Sequence, residues 1–177
     1  METGLKGRVA LVCAASRGLG KAAARGLAAE GARVAMCARH MPTLEAAAAE
    51  IQAETGADVL AVGADVSRRA DIVRLVDQTV RHFGRLDILV TNSGGPKPGL
   101  FSATTESDWR DAIDLVLMST VLLCMEAVPH MRRAGGGRGA GGHVRPSHAD
   151  TGGSCGGDPE RERCRGAGHR RRRVAQG

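Results

Sequence analysis

At 177 residues and 42% apolar, the chain has the size of a single domain. Its formal charge of +6 is unevenly spread: residues 1–131 carry 14 Lys/Arg against 15 Asp/Glu, and residues 132–177 carry 11 Arg against 4 acids. The basicity therefore implies nothing about the partners of the larger part, while strand-sized, interrupted apolar stretches exclude a signal peptide or membrane span, and five scattered cysteines without a Cys-x-x-Cys pair fit a reducing cytoplasm.

Short apolar runs without strict alternation predict strands over 8–13, 33–38, 58–63 and 86–91, as for strands covered on both faces. Between and after them, helical patterns occupy 18–30, 42–54, 68–83 and 107–131. Pro42 suits a first helical turn, Gly31, Gly56 and Gly84 suit helix stops, and Thr105 with Asp108 makes a variant capping box ahead of Trp109. Cys13, Cys37 and Cys124 fall inside predicted core elements, where a free thiol behaves as a small hydrophobe. Strands alternating with helices of this length imply right-handed βαβ units. The expected fold class is α/β, an incomplete doubly wound parallel sheet of about four strands in the order 3-2-1-4. Its ligand crevice would lie at the carboxyl ends of the strands.

After Met131 the texture changes. Residues 132–177 contain no Leu, Ile, Met, Phe, Trp, Lys or Asn, and their only branched aliphatics are Val144 and Val174. Such a segment cannot offset an ordering entropy of roughly 1–2 kcal/mol per residue. The expected organisation is a partial dinucleotide-binding domain over 1–134 followed by a disordered Gly/Arg-rich tail over 135–177.

The first strand runs into Val12-Cys13-Ala14-Ala15-Ser16-Arg17-Gly18-Leu19-Gly20 and then into an Ala-rich helix. A strand, a glycine-bearing turn and a helix start together aim backbone N–H groups at a pyrophosphate. Three further marks follow in order: Gly63-Ala64-Asp65-Val66, Thr91-Asn92-Ser93-Gly94-Gly95, and the stretch from Trp109 to Val116 that includes Asp114-Leu115. With these four marks, residues 1 to about 134 resemble the short-chain dehydrogenase/reductases, whose turn reads Thr-Gly-x-x-x-Gly-x-Gly. Ala14 stands where that pattern has its first glycine.

The resemblance implies a Rossmann-like fold and a nicotinamide cofactor. It places Ala14, Ser16, Arg17, Gly18, Leu19 and Gly20 at the phosphates, with Gly18 and Gly20 allowing close approach of backbone and helix. Asp65 and Val66 would bracket the adenine, although Asp65 or Ser67 could equally cap the helix that follows. Asn92, Ser93 and Gly94 would lie under the cofactor. The second strand ends in Cys37-Ala38-Arg39-His40, without the acid that bonds a ribose 2′-hydroxyl, so Arg39, with Arg17 nearby, points to NADP over NAD. A solvated surface arginine is the plainer alternative.

The family's catalytic set is not matched. Its general acid is a tyrosine, supported by a lysine four residues on, a serine and a helix asparagine. This chain has no tyrosine, its last lysine is Lys97, the asparagine position is Val116, and Ser147 and Ser154 lie in the patternless tail. Lys97, in the stiff Pro96-Lys97-Pro98 loop, reads as solvated. No catalytic residue and no metal site is expected, since His143, His148, Cys155, Cys164 and His169 have no zinc-module spacing.

After the long helix the family has a fifth strand that opens on a glycine-basic pair; Gly136-Gly137-Arg138 is present and the strand pattern then fails. A reading-frame slip or truncation of a GC-rich gene would give that texture. Three readings stay open. One is an NADP-dependent reductase of small carbonyls or alcohols, of 3-oxoacyl type, by descent. Another is a non-catalytic NADP-binding fragment. The third is a polyanion binder acting through His169-Arg170-Arg171-Arg172-Arg173, without specific nucleic-acid or membrane recognition. The apolar helix over 107–131 suggests homo-oligomerisation or aggregation.

Overall fold

In the computed structural model the described residues are 3–95 and 98–135, together with the backbone of 138–140. The expectations for the remainder of the tail, for Lys97, Ser147 and Ser154, for the tail His and Cys residues and for the arginine run lie outside them. The elements are β1 (Val9–Val12), α1 (Gly18–Ala29), β2 (Arg33–Ala38), α2 (Met41–Thr55), β3 (Val59–Gly63), α3 (Arg69–Phe83), β4 (Ile88–Val90), α4 (Glu106–Ile113), α5 (Ser119–Arg133) and β5 (Arg138–Ala140). All predicted strands and helices are present, with ends shifted by one or two residues. Gly56 and Gly84 close α2 and α3 in left-handed conformation, and Gly31 follows the end of α1 with φ 83°.

The sheet is parallel throughout, in the order β3-β2-β1-β4-β5. Strands β1 to β4 thus stand in the expected order 3-2-1-4. The fifth strand, expected to fail, is present as three residues: Ile88, Leu89 and Val90 pair with Arg138, Gly139 and Ala140. Backbone pairing needs no apolar side chain, so composition alone could not exclude it.

Alternation along the strands divides the core between two layers. Val9, Leu11 and Cys13 of the first strand segment, with Ala35 and Cys37 of β2, join Ile72, Leu75 and Val76 of α3 and Leu123, Ala127 and Met131 of α5. Val12, Val34, Met36 and Ala38 face the other way, toward Ala24 and Ala28 of α1 and Leu44, Ala47 and Ile51 of α2.

The helix expected over 107–131 is not uniform. A π turn, Asp114–Met118, separates α4 from α5. The whole helical run, Glu106–Arg133, is 28 residues long and apolar enough to cross a membrane by length and composition, unlike the strand-sized stretches read from the sequence. Ser119, Leu123, Ala127 and Met131, spaced by four, are buried, and Arg69 on α3 pairs with Glu126 at 3.4 Å, so one face serves as a core helix. Thr105 and Asp108 form the expected capping box of α4.

Candidate functional site

A cleft of about 480 Å³ opens at the carboxyl ends of β1 to β4. It is lined by Ala14, Ser16, Arg17 and Leu19 after β1, by Ala38, Arg39 and His40 at the end of β2, and by Ala64, Asp65 and Val66 after β3. Asn92, Ser93 and Gly94 after β4, with Leu115 from the π turn, complete it. Ten of the twelve residues expected to hold a cofactor therefore meet in one place, and the other two, Gly18 and Gly20, lie outside the lining.

Gly20 works from behind the wall. A Cβ there would collide with the Ala14 carbonyl oxygen and stand 2.9 Å from its carbonyl carbon. The missing side chain lets α1 pack end-on against the turn, which brings its N-terminus to the cleft. Gly18 has φ 59°, a left-handed conformation that glycine adopts without strain. Ala14 has φ 48° in the same region, without glycine's freedom.

The N-terminus of α1 is bare. Arg17 at its N-cap makes no side-chain capping bond and its first turn has no acid. On α2 and α4 side chains meet the first N–H groups: His40 Nδ1 accepts from Thr43 N at 3.4 Å, and Thr105 accepts from Asp108 N; α3 lacks a side-chain cap but carries Asp71 in its first turn. An uncapped N-terminus directed into a cleft is built to meet an anion. Arg17 and Arg39 are exposed, and among the described residues neither side chain has a hydrogen bond or ion pair.

The acidic and amide groups are held in place. The Asp65 carboxylate accepts from Ser67 N at 3.0 Å and Ser67 Oγ at 2.8 Å, while Asp65 N donates to Asp71 Oδ2 at 2.9 Å. That backbone donor, followed by the Arg74 guanidinium, holds the Asp71 carboxyl below its ordinary value. The expected capping of α3 by Asp65 or Ser67 is corrected: Arg68 occupies the N-cap, because Asp65 is spent on the preceding turn. Asn92 Nδ2 donates to Ala14 O at 3.4 Å, tying the loop after β4 to the turn after β1.

Ala38, His40, Ala64 and Leu115 were not anticipated. The first three are chain neighbours of expected residues and could have been read from adjacency. Leu115 lies within the Trp109–Val116 mark, directly before the family's asparagine position, and the π turn brings it to the cleft while Val116 is 47% exposed and outside the lining. Among the described residues no group of three or more metal-ligating side chains occurs.

The family model described as short chain dehydrogenase matches residues 8–139. The chain is 40% identical over 127 residues to the 3-oxoacyl-[acyl-carrier-protein] reductase of Synechocystis sp., covering 71% of this chain and 51% of that protein. Among solved structures it is similar to L-sorbose reductase from Gluconobacter frateurii, complexed with NADPH and L-sorbose. The TM-score is 0.75 and the identity 34%, over 78% of this chain and 53% of that one. It is also similar to an alcohol dehydrogenase from Thermococcus sibiricus complexed with 5-hydroxy-NADP, with TM-score 0.69 and 29% identity over 73% and 55% of the two chains. The chain spans about half the length of the curated relatives it matches.

Proposed function

The chain belongs to the short-chain dehydrogenase family, and from that membership we propose that residues 1–134 form a dinucleotide-binding unit that holds NADP(H) in this cleft without carrying out hydride transfer. One observation carries the reading: a bare helix N-terminus and two guanidinium groups, Arg17 and Arg39, unpaired among the described residues, border the same cleft. Their charge and geometry suit a pyrophosphate and a ribose 2′-phosphate. In this arrangement the N–H groups at the start of α1 and Ser16 hold the diphosphate, Arg39 with Arg17 takes the 2′-phosphate, and Asp65 and Val66 flank the adenine. Asn92, Ser93 and Gly94 support the far end, where Leu115 presents an apolar surface. The cofactor would supply hydride chemistry when bound.

Reduction of a carbonyl also needs a proton delivered to its oxygen. The 177 residues contain no tyrosine, and the cleft lining among the described residues includes no lysine, so neither side chain of the family's acid pair is found there. Similarity to reductases supports descent from enzymes acting on small carbonyls or alcohols.

Titration of the purified chain with NADPH and NADH tests the proposal. The expected result is a preference for NADPH of roughly 10- to 100-fold, the range of one or two charged phosphate bonds. Arg39→Glu should remove the preference. Equal affinities would refute the 2′-phosphate assignment, and ketone-dependent NADPH oxidation that follows the purified chain would refute the non-catalytic reading.

A further inference from the structure

The loop between β3 and α3 carries three residues of the cleft lining, Ala64, Asp65 and Val66. It is held from outside the cleft. Asp65 N donates to Asp71 Oδ2 at 2.9 Å, closing a ring of chain on the first turn of α3. One nitrogen of Arg74 donates both to Asp71 Oδ1 at 2.9 Å and to Gly63 O at 3.0 Å, so a single guanidinium grips the two ends of the loop. Neither Asp71 nor Arg74 belongs to the lining.

Inside that ring the Asp65 carboxylate is itself fixed. Ser67 N and Ser67 Oγ both donate to its Oδ1, at 3.0 and 2.8 Å. Its Oδ2 has no hydrogen bond among the described residues. A carboxylate oxygen only accepts, so the group it suits in the cleft is an N–H donor of the kind that adenine presents in its exocyclic amino group.

We propose that Asp71 is a positioning residue for base recognition: held by Arg74, it fixes the Asp65 backbone so that the free Asp65 oxygen reads the amino group of adenine. The inference rests on the dinucleotide reading above.

Three features support it. The first is an unusual reach. An acid at the third position of a helix ordinarily accepts from the N-cap N–H. Asp71 holds that position behind Arg68, yet its carboxylate accepts from Asp65, three residues further back, inside the cleft wall. The second is strength. The Asp65 N–H and then the Arg74 guanidinium hold the Asp71 carboxyl below its ordinary value, so both contacts are made to a charged group at neutral pH. The third is separation. The turn after β1 is tied by Asn92 to Ala14 O, and the start of α2 by His40 to Thr43, so the regions assigned to the phosphates have fastenings of their own. Loss of Asp71 is therefore felt at the base and not at the 2′-phosphate. A merely structural Asp71 would favour the start of α3 through its charge, and its loss would weaken every ligand alike.

The test is equilibrium titration of the whole purified chain with NADPH, NADH and the hypoxanthine analogue of NADPH, in which oxygen replaces the amino group. The parent should prefer NADPH to the analogue by about tenfold or more, the range of one hydrogen bond to a charged group. Asp71→Ala should bring that ratio below about threefold and leave the ratio of NADPH to NADH unchanged. Arg74→Ala removes the outer grip alone and should give an intermediate purine ratio. It decides the matter if Asp71→Ala does not fold.

A folded variant that keeps the parent's purine ratio would overturn the proposal, and so would equal weakening of all three ligands. A parent that binds NADPH and its analogue alike would overturn it as well. In each of these cases NADPH binding by the parent leaves the dinucleotide reading standing. A parent that binds none of the three would overturn both.

Discussion

Ala14 holds the most strained position among the described residues. It is the only non-glycine residue there with positive φ, and its methyl group stands where the family's glycine leaves open space at the cleft. A left-handed conformation costs an L-residue roughly 1–2 kcal/mol, whereas a glycine loses about 0.5–1 kcal/mol through the extra freedom of its unfolded chain. Relief outweighs entropy, so Ala14→Gly should stabilise the chain by about 0.5–1 kcal/mol, read as a raised urea midpoint with unchanged slope. NADPH affinity should not fall in this variant. A lowered midpoint would show that the turn is not held in this conformation.

At the level of elements, one carboxylate ties the amino ends of the central strands together. Asp87, 2% exposed, accepts from Val9 N at 2.9 Å, from Arg8 at 3.0 Å and from two nitrogens of Arg85 at 2.6 and 2.8 Å. Arg85 also donates to Ala134 O at 3.2 Å, joining the end of α5 to the start of β4. Burial opposes ionisation of Asp87, but Arg85, the Val9 N–H and Arg8 outweigh it and hold the carboxyl below its ordinary value. A depressed folded value means that the stabilisation is present above the unfolded value, near pH 4, and is lost as pH falls through the folded one. All of the neighbours donate, so the amide nitrogen of Asp87→Asn would face donors. That variant should lose about 2 kcal/mol at pH 7, with the gap to the parent closing below about pH 4 in urea melts. A gap independent of pH would assign the loss to packing instead.

For the whole molecule, the described surface is uneven. Strand β4 is covered along its three residues by β5, so it does not present an open edge there. Exposed apolar residues run instead along the long helix: Trp109, Ile113, Leu117, Val121 and Met125, each four residues from the last, all at least 39% exposed. Trp109 also meets the exposed Phe101 edge-on, with ring centroids 6.2 Å apart. A continuous apolar stripe of this kind favours self-association. Leu117→Lys should therefore lower the apparent mass in size-exclusion chromatography without lowering the melting temperature, and an unchanged elution volume would argue against association through this face.

Much of this was legible from residue order because it depends on local periodicity. The alternation of strands and helices, the Thr105–Asp108 cap, the stops at Gly56 and Gly84 and ten of the fourteen cleft residues all follow from patterns within a few positions of one another. That the chain has no tyrosine is likewise read from the sequence alone. Tertiary structure alone decided which distant residues became neighbours. The register of β1 against β2 set Val12 beside Met36, the approach of α1 made Gly20 a packing residue, and the π turn brought Leu115 rather than Val116 to the cleft. These depend on strand register, helix approach and an extra residue per turn, quantities set by the packing of segments far apart in the chain.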